Sequence, residues 1–404
     1  MRILYLHQYF MTRAGIGGTR SYEFARRFAA RGHEVSMVTA AAAGEDRRRT
    51  VDGIKVIGIR AGFADYVTGT KLGYPRRALD FARFAVAATV AALREPGPDV
   101  IYATSPPLTM ALPALAASWR HRTPLVFEVR DLWPEAPIQM GALTNPLLKR
   151  LARWLERYVY RYAAHVIALS PGMRDGVIAA GTAAEKVTLV PNASDLELFS
   201  PDRDGSEFRE RLGLGDRFVC TYFGTMGEAN DLTQVIEAAA LMGDEVRFVL
   251  HGDGKRRREL EEMVRDRGLR NVVFSDPLRE KESVARLAAA SDACMTIYKD
   301  VPILYTCSPN KLFDTFAAGR PAIVNTPGWL RELVEENEAG VYVRPADPAH
   351  LAERVAFLRE HPELVERYGK NARKLAETEF SRDMLAERAL DVLERAAGAS
   401  GTPD

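Results

Sequence analysis

Short apolar runs alternate with helical patterns along this chain, and the alternation starts twice. The first series opens at Arg2–Phe10, rich in Ile, Leu and Tyr, and a turn with Gly15, Gly17 and Gly18 follows it. Over Ser21–Arg31, Phe24 and Phe28 fall one helical turn apart with Ala25 and Ala29 beside them, which predicts a helix with one buried face. Gly32 ends that helix, and Glu34–Thr39 resumes as a strand. Further strands are expected at Ile54–Ile59, Val100–Ala103, Leu125–Val129 and Val166–Leu169. Most are nearly continuous apolar runs, as strands of a parallel sheet covered on both faces require. Lys55 and Gly58 interrupt Ile54–Ile59, which predicts an edge position for it.

The second series opens at Phe218–Phe223, turns at Gly224 and Gly227, and continues through a helical pattern at Leu232–Met242 to a strand at Val246–Leu250. Gly252 and Gly254 close it, and strands are expected at Val272–Phe274, Ala293–Ile297 and Ala322–Asn325. Strands alternating with helices mean α/β architecture with parallel sheets, and two such sets mean two Rossmann-like domains. Between them, Phe199–Gly215 is polar with Pro201 and three glycines, the composition of a linker. This divides the chain into 1–198, 199–380 and a final stretch 381–404, whose helical pattern covers Ser381–Ala397 before a tail expected to fray.

The length of 404 residues fits two domains, and a formal net charge of +1 provides no global field for nucleic acid. Cys220, Cys294 and Cys307 are far apart and odd in number, so neither a disulfide framework nor a thiolate zinc site is indicated, and a reducing cytoplasm fits. The first residues read as a core strand rather than a signal peptide, and no uncharged apolar stretch is long enough for a spanning helix.

Ligands of open α/β sheets sit beyond the carboxyl ends of the strands, here in a cleft between domains. Three loops are placed there. In Gly15–Arg20 the glycines allow close approach to a phosphate and Arg20 supplies a charge-assisted donor; a plain turn explains the glycines equally well. In Gly252–Arg258 a basic run opens a helix, which the helix dipole disfavours unless an anion lies nearby; a solvated basic face is the other reading. In Ser308–Val324 a polar loop opens a helix with Asn310 and Lys311 in its first turn and Asp314 one turn on. Lys311 is suited to a phosphate and Asp314 to ribose hydroxyls, against the alternative of a capped helix with both side chains solvated.

The segment SPNKLFDTFAAGRPAIV resembles the carboxylate-loop motif of glycosyltransferase family 4, the large retaining GT-B group. GGTRSYEFARRFAARGHEV, ATSPPLT and VRDLWPEAPIQMG are similar to the subgroup of bacterial fucosamine and colanic-acid transferases, and Pro191–Asp195 with Phe199 resembles the family's inter-domain phrase. The resemblance runs from residue 1 to about 397. It implies an acceptor-binding first domain, a donor-binding second domain, a last helix crossing back to the first domain, and no metal or other cofactor. By the same resemblance Gly17 and Gly18 face the donor diphosphate and Asp314 holds the ribose. The family's first glutamate is unmatched here, standing near Thr306, and its Arg and Lys after the Gly224 turn are replaced by Gly224–Asn230. Phosphate neutralisation is therefore expected from Arg257 or Lys311, with Gly224, Gly254, Ser308, Asn310 and Leu312 completing the donor side.

Arg130 and Asp131 follow a buried strand, where the family often has a histidine before the aspartate. With Lys311 they are the catalytic candidates, and Arg130, Glu135 and Tyr9 are assigned to the acceptor side; a structural Arg–Asp pair beside a packed Trp133 is the alternative. His7, His33 and His251 read as structural. Asp202-Arg-Asp204 has the DxD spacing of metal-dependent transferases but falls in the linker. Two basic-aromatic stretches are candidates for a membrane surface: Lys71–Leu93, for which membrane or lipid contact and simple packing both stand, and Leu147–Tyr162, read as a helix packed on the sheet.

The expectation is a cytoplasmic enzyme, with the inner face of the plasma membrane as a candidate location. It moves a sugar, with a UDP-linked amino sugar favoured, to a polyprenyl-diphosphate-linked acceptor with retention. A transferase for a soluble metabolite, a UDP-sugar epimerase and a non-catalytic nucleotide-sugar binder are the rivals.

Overall fold

The structure, a computed structural model, describes residues 1–13, 15, 18–41, 44–60, 74–276 and 280–398, without the side chains of 74–78. Strands β1 (Arg2–Leu6), β2 (Glu34–Ala40), β3 (Arg48–Val51), β4 (Ile54–Ile59), β5 (Val100–Ser105), β6 (Leu125–Val129), β7 (His165–Ala168) and β8 (Val187–Leu189) form one sheet in the order β3-β4-β2-β1-β5-β6-β7-β8. A second sheet holds β9 (Phe218–Phe223), β10 (Val246–His251), β11 (Val272–Ser275), β12 (Ala293–Thr296), β13 (Ala322–Val324) and β14 (Gly340–Tyr342), in the order β11-β10-β9-β12-β13-β14. All pairings are parallel except β3 with β4. In each sheet the strand order reverses at the first strand, β1 or β9, so a crevice opens beyond its carboxyl end.

Three expectations need correction. β4 is not an edge strand, because β3 pairs antiparallel along its outer side. Asp52 (φ 46°) and Gly53 (φ 80°) make the connecting two-residue turn, and the Asp-Gly pair was its sequence signal. The segment Phe199–Gly215 is no bare linker: it contains the helix Ser206–Arg211, whose Phe208 is buried with Leu214 against Val219, Val249 and Leu287. The helix Pro146–Tyr162 buries only Val159 and Tyr160, with Tyr160 against Phe127 of β6. It therefore packs on the sheet as expected, but the face it turns outward carries the apolar stripe Leu147, Leu151, Trp154, Tyr158 rather than a polar surface. Of the stretch Lys71–Leu93, residues 71–73 lie outside the described set. The helix Tyr74–Arg94 that follows buries Phe84, Ala88 and Ala92 in the core, so Phe84 is not available to a surface.

Two segments join the halves, and they run side by side. Ser194 and Ser381 form a parallel bridge, and the Ser194 hydroxyl donates to the Phe313 carbonyl at 3.1 Å. Phe313 and Phe380 meet there at 4.8 Å, each burial contributing about 2 kcal/mol. Beyond this point the helix Arg382–Gly398 returns to the first domain, where Arg27 and Arg31 of the helix Arg20–Ala30 pair with Asp383 (2.5 Å) and Glu387 (3.0 Å). Two α/β domains facing a cleft, with a returning last helix, is the GT-B arrangement expected from the sequence.

Candidate active site

The cleft is built from the ends of β1, β6 and β9 and from the helix Asn310–Ala317. Just past β9 stands Gly224 at φ 141°, where a Cβ would lie 3.2 Å from the Lys311 Nζ. The absence of a side chain lets Lys311 lie across the strand end. Its Nζ donates to the Tyr222 hydroxyl at 2.8 Å and to the Asn230 Oδ1 at 3.1 Å. Burial strips water from the ammonium and lowers its pKa to about 7, with Cys307 opposing. The helix that carries Lys311 has no carboxylate in its first turn and no side-chain cap, so its positive end is left for an anion.

The first domain meets this helix at Gly18. A Cβ there would be 3.4 Å from both the Arg130 Nη2 and the Asn310 Nδ2. Arg130, just past β6, is held by the buried His7, whose Nε2 lies 3.2 Å from Arg130 Nη1 and whose Nδ1 lies 2.7 Å from the Ser21 Oγ. An arginine only donates, so Nε2 accepts and Nδ1–H donates to Ser21. Burial, helped by Arg130, keeps this imidazole neutral by holding its pKa well below the usual value. Burial raises Asp131 to about 6 against the pull of Arg130. Burial, with Asp131 adding, pushes the Cys307 thiol up to about 12, and Lys311 pulls it the other way. The Cys307 thiol thus feels both the Asp131 carboxylate and the Lys311 ammonium. Lys311, Arg130 and Asn310 are donors suited to a departing diphosphate, and burial brings Asp131 to about 6 and Lys311 to about 7.

Several candidates lie elsewhere. Gly17 is outside the described residues. Arg20 is no phosphate donor: it is buried, paired with Glu128 at 2.8 Å, and bonded to the carbonyls of Pro191 (2.6 Å) and Val190 (3.0 Å). Arg257 is taken up by Glu261 (2.8 Å), Asp276 (2.9 Å) and the Gly252 carbonyl (2.8 Å), so its charge is already matched. Gly254 packs the two glycine turns together, since a Cβ would be 2.4 Å from the Met226 carbonyl oxygen. The Ser308 hydroxyl accepts from Asn192 N at 3.1 Å and its carbonyl from Asn192 Nδ2 at 2.6 Å, so Ser308 ties the domains together. Leu312 is fully buried core. Asp314 faces Lys281 at 3.3 Å; burial raises its pKa while Lys281 and Arg382 lower it. Glu135 pairs with Arg153 at 3.1 Å, and Tyr9 packs edge-on to His7 at 6.1 Å.

Sequence reasoning missed Tyr222, Asn230 and His7 as parts of the site. His7 carried a usable signal, since it stands just beyond the first strand, the same placement that singled out Arg130. Tyr222 lay hidden in an apolar strand pattern, and Asn230 came after a loop with no periodicity.

Known proteins share this plan. Residues 17–193 match the glycosyl transferase 4-like domain, and residues 217–361 match the glycosyl transferases group 1 domain. The chain is 28% identical over 59% of its length to alpha-D-kanosaminyltransferase of Streptomyces kanamyceticus, spanning 61% of that protein. It is 30% identical over 64% of its length to the putative colanic acid biosynthesis glycosyl transferase WcaI of Escherichia coli K12, spanning 66% of it. The matches thus leave about a third or more of each relative unspanned. The crystal structure of Anabaena HepE in complex with UDP-glucose superposes with a TM-score of 0.73 at 22% identity, covering 98% of this chain and 100% of that one. With two glycosyltransferase domains matched in order on two facing α/β domains, the chain belongs to the GT-B glycosyltransferases of family 4.

Proposed function

We propose that the protein transfers a sugar from a nucleoside-diphosphate donor to an acceptor held by the first domain, with retention of configuration. The observation that carries this is the meeting of Lys311, Asn310, Gly18 and Arg130 between the ends of β6 and β9. In this reading Lys311, Arg130 and the end of the helix Asn310–Ala317 stabilise the charge that builds on the diphosphate as the glycosidic bond breaks. These groups act without a metal. Asp314, held by Lys281, accepts hydrogen bonds from the ribose, and Asp131 and Glu135 lie on the acceptor side.

UDP is the favoured nucleotide, supported by the UDP-glucose bound to HepE, and an amino sugar is supported by the kanosaminyl relative. The colanic-acid relative supports a polysaccharide acceptor, which we take to be carried on a polyprenyl diphosphate, as the sequence resemblance implies. Such an acceptor places the protein at the inner face of the plasma membrane, with 71–93 as one contact. The test is incubation with UDP- and GDP-sugars, with and without polyprenyl-diphosphate acceptors and in the presence of EDTA. Sugar transfer to the lipid acceptor that survives EDTA is expected. Product only with soluble acceptors removes the lipid assignment, epimerised donor points to an epimerase, and donor binding without any product removes the enzyme.

A further inference from the structure

The helix Pro146–Tyr162 presents an apolar stripe to solvent. Leu147 is 72% exposed, Leu151 56% and Trp154 58%, and Trp119 from the helix Ala111–His121 adds another 56% exposed side chain. The rings form a ladder: Trp154 stacks on Tyr158 at 5.5 Å, Tyr158 on Tyr162 at 6.2 Å, and Trp119 stands edge-on to Tyr162 at 6.1 Å. Lys149, Arg150, Arg153, Arg157 and Arg161 line the adjoining groove. Glu156 is the one acid on the helix, and burial raises its pKa to about 7.

We propose that this face docks on an anionic bilayer. The argument is charge complementarity joined to amphipathic geometry. Side chains at i, i+4, i+7, i+11 and i+15 make one outward stripe, with arginines along its flank, so leucines and aromatics enter the interface while the guanidinium groups meet lipid headgroups. Trp and Tyr suit this position because they join an apolar body to a polar tip. A second copy of the chain is a poor occupant, because a two-fold contact would bring the same cations together. A polyanion has no use for the exposed leucines. Among the described residues no helix is long and apolar enough to cross a membrane, so contact is peripheral. Arg153 pairs with Glu135 on the acceptor rim, so the docked face adjoins the cleft. That placement suits a lipid-borne acceptor and in this respect rests on the function proposed above, but docking is read without turnover.

Full-length protein is sedimented with phosphatidylcholine vesicles, with and without phosphatidylglycerol. Binding to the anionic vesicles alone is expected, weakening as salt is raised. Arg150→Gln with Arg157→Gln lowers partitioning about 30-fold, taking roughly one kcal/mol per cation at the surface. Trp154→Ser with Tyr158→Ser lowers it as well. Both variants keep the wild-type circular dichroism and donor affinity, since neither pair touches the cleft. Equal binding to neutral vesicles, no binding by the wild type, or variants that bind like the wild type overturns the proposal. So does a wild-type dimer that Trp154→Ser dissolves, which makes the face a self-interface.

Discussion

Lys311, placed in the proposed donor site, is expected to make donor binding depend on pH near neutrality. Its pKa is lowered to about 7, whereas a nucleotide sugar keeps its diphosphate charge across the same range. The diphosphate favours the ammonium form, so binding raises this pKa and takes up a proton. Affinity must therefore fall as pH rises through about 7. The charged fraction of the free protein is about nine-tenths at pH 6 and about one-tenth at pH 8, so the apparent Kd rises about tenfold over that interval. Titration calorimetry with a UDP-sugar, in buffers of different ionisation enthalpy, reads both the Kd and the proton uptake. Lys311→Arg stays charged and flattens the profile. Asp131, raised to about 6 by burial beside Arg130, titrates in the same range, so Asp131→Asn in the Lys311→Arg background separates the two groups. A wild-type Kd that is flat from pH 6 to 8, with no proton uptake, refutes the role given to Lys311.

Other outcomes follow from named contacts. His7→Ala releases the Arg130 guanidinium and lowers kcat on the order of tenfold or more with little change in donor Kd, as steady-state kinetics and calorimetry together measure. Burial opposes ionisation of Glu23, yet Arg382, Arg13 and Arg26 hold its carboxyl down at about 2. Glu23→Gln therefore costs about 3 kcal/mol in urea unfolding at neutral pH. The contribution is complete above about pH 4.5 and is lost as pH falls toward 2, so wild type and variant converge in acid. Gly252→Ala has no room, with φ at +133° and a Cβ 1.9 Å from the Gly224 carbonyl oxygen, and costs about 3 kcal/mol or more; an unchanged Tm contradicts this. Asp314→Asn weakens donor binding more than it lowers Tm. The opposite pattern makes the Asp314 carboxylate only a partner for Lys281.

What was legible in the sequence depended on local signals. Continuous apolar runs marked the central strands, because burial on both faces leaves no polar positions. The short strands β3, β8 and β14 were missed because RRTV, VTL and GVY carry polar or glycine positions and so make no apolar run. The loop after β6 and the helix with Lys311 were found because strand ends and helix starts are local features. The fates of Arg20 and Arg257 were not legible. Whether an arginine faces a ligand or a carboxylate is decided by partners far off in sequence, such as Glu128, 108 residues from Arg20. The helix Pro146–Tyr162 shows the same limit: its basic-aromatic composition was plain, but composition does not say which side chains are covered.

The pairing of Ser194 with Ser381 has a mechanical consequence. Both covalent connections cross at one line, so any rotation of the two bodies turns about that line, like a door hung on a single edge. Displacement grows with distance from such an axis. Asn310 and Lys311 are close to it, tied in through the Asn192–Ser308 and Ser194–Phe313 bonds. They sweep a short arc, while Arg257, opening the helix Arg257–Asp266, and Asp276, just past the edge strand β11, sweep a longer one. The diphosphate site proposed at Asn310 and Lys311 would thereby stay nearly stationary as the outer lips of the cleft part.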